Sequence, residues 1–155
     1  MFKNQKVSRN RIVAVSLLII IMLLAVPSFI GCGDDIDYIA TVKQREPFKN
    51  SQNLPGTYNN VVVKYINSPE WTTRESGNDF FVDIKGKVKG EGESIVITIK
   101  TVYNKDTDNL SVSPYSVTFD GETITGNDAV EFMFYMFDAY NDGFETLEDY
   151  FNAYY

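Results

Sequence analysis

Apolar and polar residues alternate through the middle of the chain, over residues 80–103, with one polar interruption. A period of two is typical of strands that bury one face and expose the other. The two alternating runs predict an antiparallel hairpin. We expect the register that places Ile84 opposite Ile99 and Asp83 opposite Lys100, since it aligns isoleucines on one face and opposite charges on the other.

Further strands flank this hairpin on both sides. Trp71 opens the strand that precedes it, and we expect this ring to be the largest side chain of the core. The apolar positions of Leu110–Phe119 change parity within the run, which predicts a bulge at Ser113–Pro114. Asp120–Gly121 is typical of a tight hairpin turn and leads into a short strand, Glu122–Thr125.

The region before Trp71 predicts one strand, one loop and one helix. Residues Tyr38–Val42 are expected to form the first strand, and Arg45–Gly56 a polar loop. Apolar residues from Tyr58 to Ile66 then recur at the three- and four-residue spacing of a helix, with Thr57 as N-cap. We expect the helix to end before Pro69, because proline disfavours helical geometry in the residue before it.

Two helices are predicted at the end of the chain, Ala129–Tyr140 and Leu147–Tyr154. Asp128 and Thr146 are expected to be their N-caps, each followed three positions later by an acidic residue. Gly143 lies between the helices and suits a left-handed helix stop. The chain therefore predicts an α+β fold: an antiparallel β-meander of about four to five strands packed against an N-terminal helix and two C-terminal helices.

The first of these two helices is apolar nearly all round, which is unusual for a surface helix. One stripe is assigned to the sheet: Val130, Met133, Phe134 and Phe137. A second stripe is either covered by the terminal helix or exposed to a partner: Phe132, Tyr135, Met136 and Ala139. The candidate partner surface consists of Phe132, Tyr135, Met136, Tyr150 and Tyr154.

The N-terminal segment has the pattern of an export signal. Four basic and no acidic residues lie in Met1–Arg11, and fifteen mostly apolar residues follow, Ile12–Val26. This run is short for a bilayer span, although extending it to Ile30 would bring it close, so an uncleaved anchor is the alternative. Cys32, the only cysteine, follows the apolar run directly after Gly31 and cannot form a disulfide within the chain.

The stretch Phe29-Ile30-Gly31-Cys32 resembles the lipobox of bacterial lipoproteins, although Phe29 departs from the usual aliphatic residue. The resemblance implies that residues 1–31 are a signal peptide, that Cys32 is acylated and that the protein is anchored by lipid to the outer face of the cytoplasmic membrane or to the cell surface. Residues 32–37 would then be the lipidated cysteine with an acidic spacer, and 38–155 a single domain.

Two stretches of the domain resemble a group of small uncharacterised lipoproteins of Gram-positive bacteria. These are SPEWTTRESGNDFFVDIKG and NDAVEFMFYMFDAY, within residues 68–140. The resemblance implies an extracytoplasmic interaction module and no particular activity.

Charge and missing residue types narrow the function further. The whole chain has a net charge of −7, and removing residues 1–31, which hold four basic residues and no acidic one, leaves −11. Such a surface repels nucleic acid. The chain has no histidine, and its one cysteine is assigned to lipid. Catalysis by Ser/His or Cys/His and zinc sites of His or Cys are thereby excluded, and we expect no cofactor and no metal.

Three groups of residues are weighed as sites. Residues 138–149 loosely resemble a calcium loop but lack suitable ligands at two positions, so an acidic helix-turn-helix is expected, and residues 104–109 are expected to form a hairpin turn. Lys85, Lys87 and Lys89 form a row that either binds an anionic ligand or is a solvated strand face.

The third group is the carboxylates. Glu91 with Glu93, or Glu145 with Glu148 and Asp149, would suit a glycosidase only if the pair flanked a cleft.

The sequence thus favours a non-enzymatic, membrane-tethered binding module, attached to the lipid bilayer through Cys32 and facing a protein or cell-envelope partner. The alternative is a carboxylate-dependent hydrolase acting on cell-wall or other glycans. A substrate-binding lipoprotein of a transporter is disfavoured, because such sites usually lie between two domains and residues 38–155 suffice for one.

Overall fold

A computed structural model describes residues 36–155, in which Asp37–Tyr155 form one compact unit. The predicted α+β class is confirmed: one antiparallel sheet of five strands in the order β1-β2-β3-β4-β5 has helices before and after it. The elements are α1 (Tyr38–Gln44), α2 (Lys49–Gln52), α3 (Tyr58–Tyr65), β1 (Ile66–Ser76), β2 (Asp79–Val88), β3 (Ser94–Asn104), β4 (Asn109–Phe119), β5 (Glu122–Thr125), α4 (Asn127–Asn141) and α5 (Leu147–Tyr154).

The strand predicted for Tyr38–Val42 is wrong, because these residues begin α1. Asp37 is the N-cap: its Oδ1 accepts a 2.9 Å hydrogen bond from the Ala40 N–H, which satisfies a donor that the first helical turn leaves free. Tyr38 and Val42 lie four residues apart and so share one helix face. Val42 is fully buried, and the Tyr38 ring stacks on Phe80 with centroids 4.6 Å apart. The N-cap at Asp37 and the contacts that these two residues make from one helix face explain why the segment is a helix and not the predicted strand.

The helix predicted after Thr57 is confirmed as α3. Thr57 Oγ1 accepts a hydrogen bond of 3.2 Å from the Asn60 N–H, and the buried residues follow the predicted spacing. The chain enters β1 directly after Tyr65, without a loop. Pro69 therefore lies within β1, beside a register irregularity between Asn67 and Glu70.

The hairpin of β2 and β3 is confirmed, but its predicted register is wrong by two residues. Ile84 lies opposite Ile97, and Asp83 opposite Thr98. The Val88 N–H donates to the carbonyl of Glu93 at 2.9 Å, which closes the turn at the observed register. A shift of two residues keeps every side chain on its predicted face.

The last two strands, β4 and β5, agree closely with the strands predicted from the sequence. β4 has its irregularity at Tyr115, one residue beyond the predicted Ser113–Pro114, since Ile99 pairs with Pro114 while Thr98 pairs with Ser116. β4 and β5 are joined by the predicted two-residue turn, in which both residues have positive φ, as a type I′ turn requires.

The helices lie on one face of the sheet, and α1, α3 and α4 contact it. The largest fully buried side chains include Tyr58, Tyr65, Phe137 and the isoleucines of β2 and β3. Trp71 is only partly buried, so the prediction that it dominates the core is wrong. β1 is an edge strand, and the Trp71 ring lies near its margin with Lys43 Nζ 5.1 Å from the ring centroid.

The two C-terminal helices are confirmed, and their caps differ. Thr146 caps α5 as predicted, accepting from the Asp149 N–H at 3.1 Å. α4 begins two residues earlier than predicted and has Gly126 as N-cap without a side-chain hydrogen bond, so the cap predicted at Asp128 is wrong. Gly143 has φ +80° and follows the end of α4, as predicted.

Candidate functional site

The predicted lipidation site, Cys32, lies outside the described residues, as do the predicted signal peptide and most of the acidic spacer. Within residues 36–155, no helix is both long and apolar enough to span a bilayer. The described domain therefore bears on binding and chemistry, and the attachment to a membrane rests on the sequence alone.

The second apolar stripe of α4 is largely covered from within the chain. The Tyr135 ring lies 6.0 Å from Phe151 and 5.8 Å from Tyr155, centroid to centroid. Of the stripe assigned to the sheet, Met133 and Phe137 are fully buried as predicted, while Val130 is 37% exposed. The terminal helix folds back onto α4, which was the internal of the two predicted explanations.

The candidate partner surface does not exist as one exposed patch. Met136 and Tyr150 are buried, Phe132 and Tyr135 are partly buried, and only Tyr154 is well exposed, at 57%. The correction has a simple cause: α5 supplies the cover that a partner would otherwise provide.

Two carboxylates near the C-terminal end of α4 accept hydrogen bonds from tyrosine hydroxyls of α5. Tyr150 donates a 2.7 Å hydrogen bond to Asp138, and Tyr154 donates one of 2.9 Å to Asp142. Burial, followed by the hydrogen bond to Asp138, raises the pKa of Tyr150. Among residues 36–155 no three acidic, histidine or cysteine side chains are grouped so that they could hold a metal ion. Residues 104–109 form the predicted hairpin turn, in which Asn104 Oδ1 accepts from the Asp106 N–H at 2.9 Å.

The predicted lysine row is divided by the structure. Lys85 and Lys87 are exposed on the face of the sheet opposite the helices, and Glu70 lies across from Lys85. Lys89 lies in the turn beyond β2, where its Nζ donates a 2.7 Å hydrogen bond to the carbonyl of Val63 near the end of α3. Lys89 thus binds a carbonyl near the end of α3. Lys85 and Lys87 remain as the candidate site for an anionic ligand.

Among the predicted carboxylates, Glu91 has the perturbed environment. It lies in the turn between β2 and β3, and burial raises its pKa, assisted by the negative charges of Glu93 and Glu148. The Glu91 Oε2 atom is buried, and no hydrogen-bond partner for it lies among the described residues. Glu145 is instead ion-paired with Lys64 at 2.9 Å.

A groove between α2 and the N-terminal half of α4 was not predicted from the sequence. Its volume is about 600 Å³. Aromatic and apolar side chains line it together with amides and a carboxylate: Phe48, Gln52, Val130, Glu131, Phe134 and Tyr135.

Three aromatic rings meet in this groove at steep angles. The Phe48 and Phe134 centroids are 5.9 Å apart with planes at 88°, and the Phe134 and Tyr135 centroids are 6.0 Å apart with planes at 66°. The Tyr135 hydroxyl donates to Glu131 Oε1, a hydrogen bond that raises the pKa of Tyr135. Phe48 escaped the sequence analysis because it lies in the predicted polar loop, although a phenylalanine in such a loop is itself a signal of burial.

Comparisons of the chain with protein-family models, with curated proteins and with solved structures found no match.

Proposed function

We propose that this protein is a membrane-tethered extracytoplasmic lipoprotein whose folded domain is a non-catalytic binding module. The observation that carries the proposal is the order of features at the N-terminus: basic residues, an apolar run, Gly31 and then the only cysteine, Cys32. The acyl chains anchor the protein, since each buried methylene contributes about 0.8 kcal/mol and stable attachment takes two signals.

The binding role is supported by the groove between α2 and α4. Ligand sites are concave, mostly apolar and furnished with a few polar groups that orient the ligand, and volumes of about 300 to 1,000 Å³ are usual. The groove has a volume of about 600 Å³ and combines aromatic rings with Gln52, Asn127 and Glu131.

Fractionation of host cells tests the tether and its orientation together. The wild-type protein should sediment with membranes and be cleaved by protease added outside spheroplasts. Cys32→Ser should accumulate as a precursor of full length. A wild-type protein that stays in the soluble cytoplasmic fraction would refute the proposal.

The raised pKa of Glu91 is the observation that supports a second candidate function, a hydrolase acting on cell-wall or other glycans. A glycosidase needs a general acid whose pKa is raised and a second carboxylate beside it. Glu91 has a raised pKa, and Glu93 and Glu148 contribute to the shift. Release of reducing sugar from purified cell walls, lost in Glu91→Gln and retained in Glu145→Gln, would establish this function. No release by the wild type would eliminate it.

A further inference from the structure

We propose that the groove between α2 and α4 binds a small organic cation, with an ammonium group on an apolar body, between the rings of Phe134 and Tyr135 and the carboxylate of Glu131. This proposal deepens the binding role proposed above and rests on that role, but it does not depend on the tether.

The aromatic walls provide the first argument. Cations are attracted to the faces of aromatic rings. Phe48 and Tyr135 each pack edge to face against the ring of Phe134, so the three rings form one continuous aromatic wall. Phe134 and Tyr135 are partly exposed and supply the accessible ring surface, while Phe48 is 8% exposed and closes the floor.

The charge of the groove provides the second argument. Glu131 is exposed at the rim, and its carboxylate is oriented by the hydrogen bond from the Tyr135 hydroxyl. The chain from Asp106 to its end contains eleven acidic residues and no lysine or arginine, so α4 and α5 present negative charge only. Such a surface attracts cations and repels anions.

The nearest cation along the chain does not occupy the groove. Lys49 lies next to Phe48 in α2, but its Nζ is ion-paired with Glu46 Oε2 at 2.8 Å. The carboxylate of Glu131 makes its described hydrogen bond with a neutral phenol rather than with a cation. A ligand cation therefore finds an acidic partner that is positioned but not neutralised.

The volume of the groove suits a small molecule. A volume of about 600 Å³ lies within the range of small-molecule sites. A quaternary ammonium is also less strongly hydrated than the compact ammonium of lysine, so it loses less on entering an aromatic site.

Choline and its uncharged analogue 3,3-dimethylbutan-1-ol test the proposal, because they have nearly the same shape and differ in charge. Each is titrated into the full chain in a nonionic detergent, and amide shifts are followed by NMR at Gln52, Asn127 and Val130, which line the groove. We expect saturable shifts at these amides with choline and at least about tenfold weaker binding of the neutral analogue.

Three variants locate the binding. Glu131→Gln and Phe134→Leu should each weaken choline binding by about threefold or more. Asp120→Asn is the matched control: it removes the same charge from an exposed turn, keeps a residue type that tolerates its φ of +44°, and should leave binding unchanged. Glu131 is on the surface, so its variant remains informative if Phe134→Leu fails to fold.

Each other outcome overturns the proposal. Equal affinity for choline and the neutral analogue would make the groove a merely apolar site. Choline binding that survives in Glu131→Gln would place the cation elsewhere on the acidic surface. Tighter binding of Nα-acetyl-lysine amide than of choline would assign the groove to a peptide lysine. None of these results bears on acylation of Cys32, so failure of the ligand class is distinguishable from failure of the tether.

Discussion

The Thr98 hydroxyl donates a 2.7 Å hydrogen bond to Asp83 Oδ1, across the β2–β3 ladder on the face of the sheet that the helices leave open. The other carboxylate oxygen, Oδ2, accepts from Arg74 Nε on β1 at 2.8 Å. Asp83 is 9% exposed, so these two bonds satisfy a nearly buried charge. Asp83 thus joins three strands and fixes their register.

Asp83→Asn should destabilise the domain by about 1 to 3 kcal/mol, because the amide breaks one of two bonds at a buried site. Asp79→Asn is the matched control. Asp79 is ion-paired with Lys100 at 2.6 Å, but its side chain is 39% exposed, so its loss should cost less than about 1 kcal/mol. Urea unfolding measures both. A double-mutant cycle in which Lys100 couples to Asp83 more strongly than to Asp79 would contradict the observed register.

Tyr150→Phe should cost about 1 to 2 kcal/mol of unfolding free energy, since it removes the hydrogen bond to Asp138 from the buried contact between α5 and α4. Tyr154→Phe removes a similar bond to Asp142 from an exposed ring and should hardly change stability. Thermal unfolding of the two variants checks the difference. Equal losses would mean that α5 does not pack as described.

Phe137→Ala should destabilise the domain by about 3 to 5 kcal/mol, as expected for a fully buried ring. Trp71→Ala should cost only about 1 to 2 kcal/mol despite the larger side chain, because Trp71 lies partly exposed on an edge strand. Urea midpoints at a constant m-value compare them. A larger loss of unfolding free energy for Trp71→Ala than for Phe137→Ala would contradict the partial exposure of Trp71.

Glu91→Gln should stabilise the domain at pH 7, by no more than about 1 kcal/mol because solvent screens a partly exposed carboxylate. The folded-state pKa of Glu91 is raised above its ordinary value, chiefly by burial. The folded state therefore binds this proton more tightly, and stability falls as pH rises from the ordinary pKa through the raised one. The difference between variant and wild type should vanish below about pH 4. A stabilisation that persists at pH 3 would exclude titration of Glu91 as its cause.

The sequence predicted most of the described fold because its patterns are local. The alternation in β2 and β3, the cap at Thr146 and the two-residue turn before β5 are each set by neighbouring residues. The start of the domain was mispredicted although a local signal is present, because Asp37 is the N-cap of α1. The contact that packs Tyr38 against Phe80 joins distant parts of the chain, and no local pattern includes it.

Long-range contacts also explain why the candidate sites changed. The sequence left open whether the stripe with Tyr135 is covered by the terminal helix or exposed, and the contact between Tyr135 and Phe151 shows that it is covered. Lys89 was predicted to be part of a basic row, but its side chain binds the carbonyl of Val63. The groove combines Phe48 with residues of α4 about eighty positions later, a pairing that only tertiary structure provides. The charge imbalance that favours a cation there was, by contrast, already present in the sequence.

The central claim, a lipid-anchored domain, is tested most directly by the intact mass of the protein purified from host membranes. A lipid-anchored protein should be a chain that begins at Cys32, lacks residues 1–31 and has the added mass of acyl chains, with no such species in Cys32→Ser. A wild-type protein that retains residues 1–31 and has no acyl mass would contradict it.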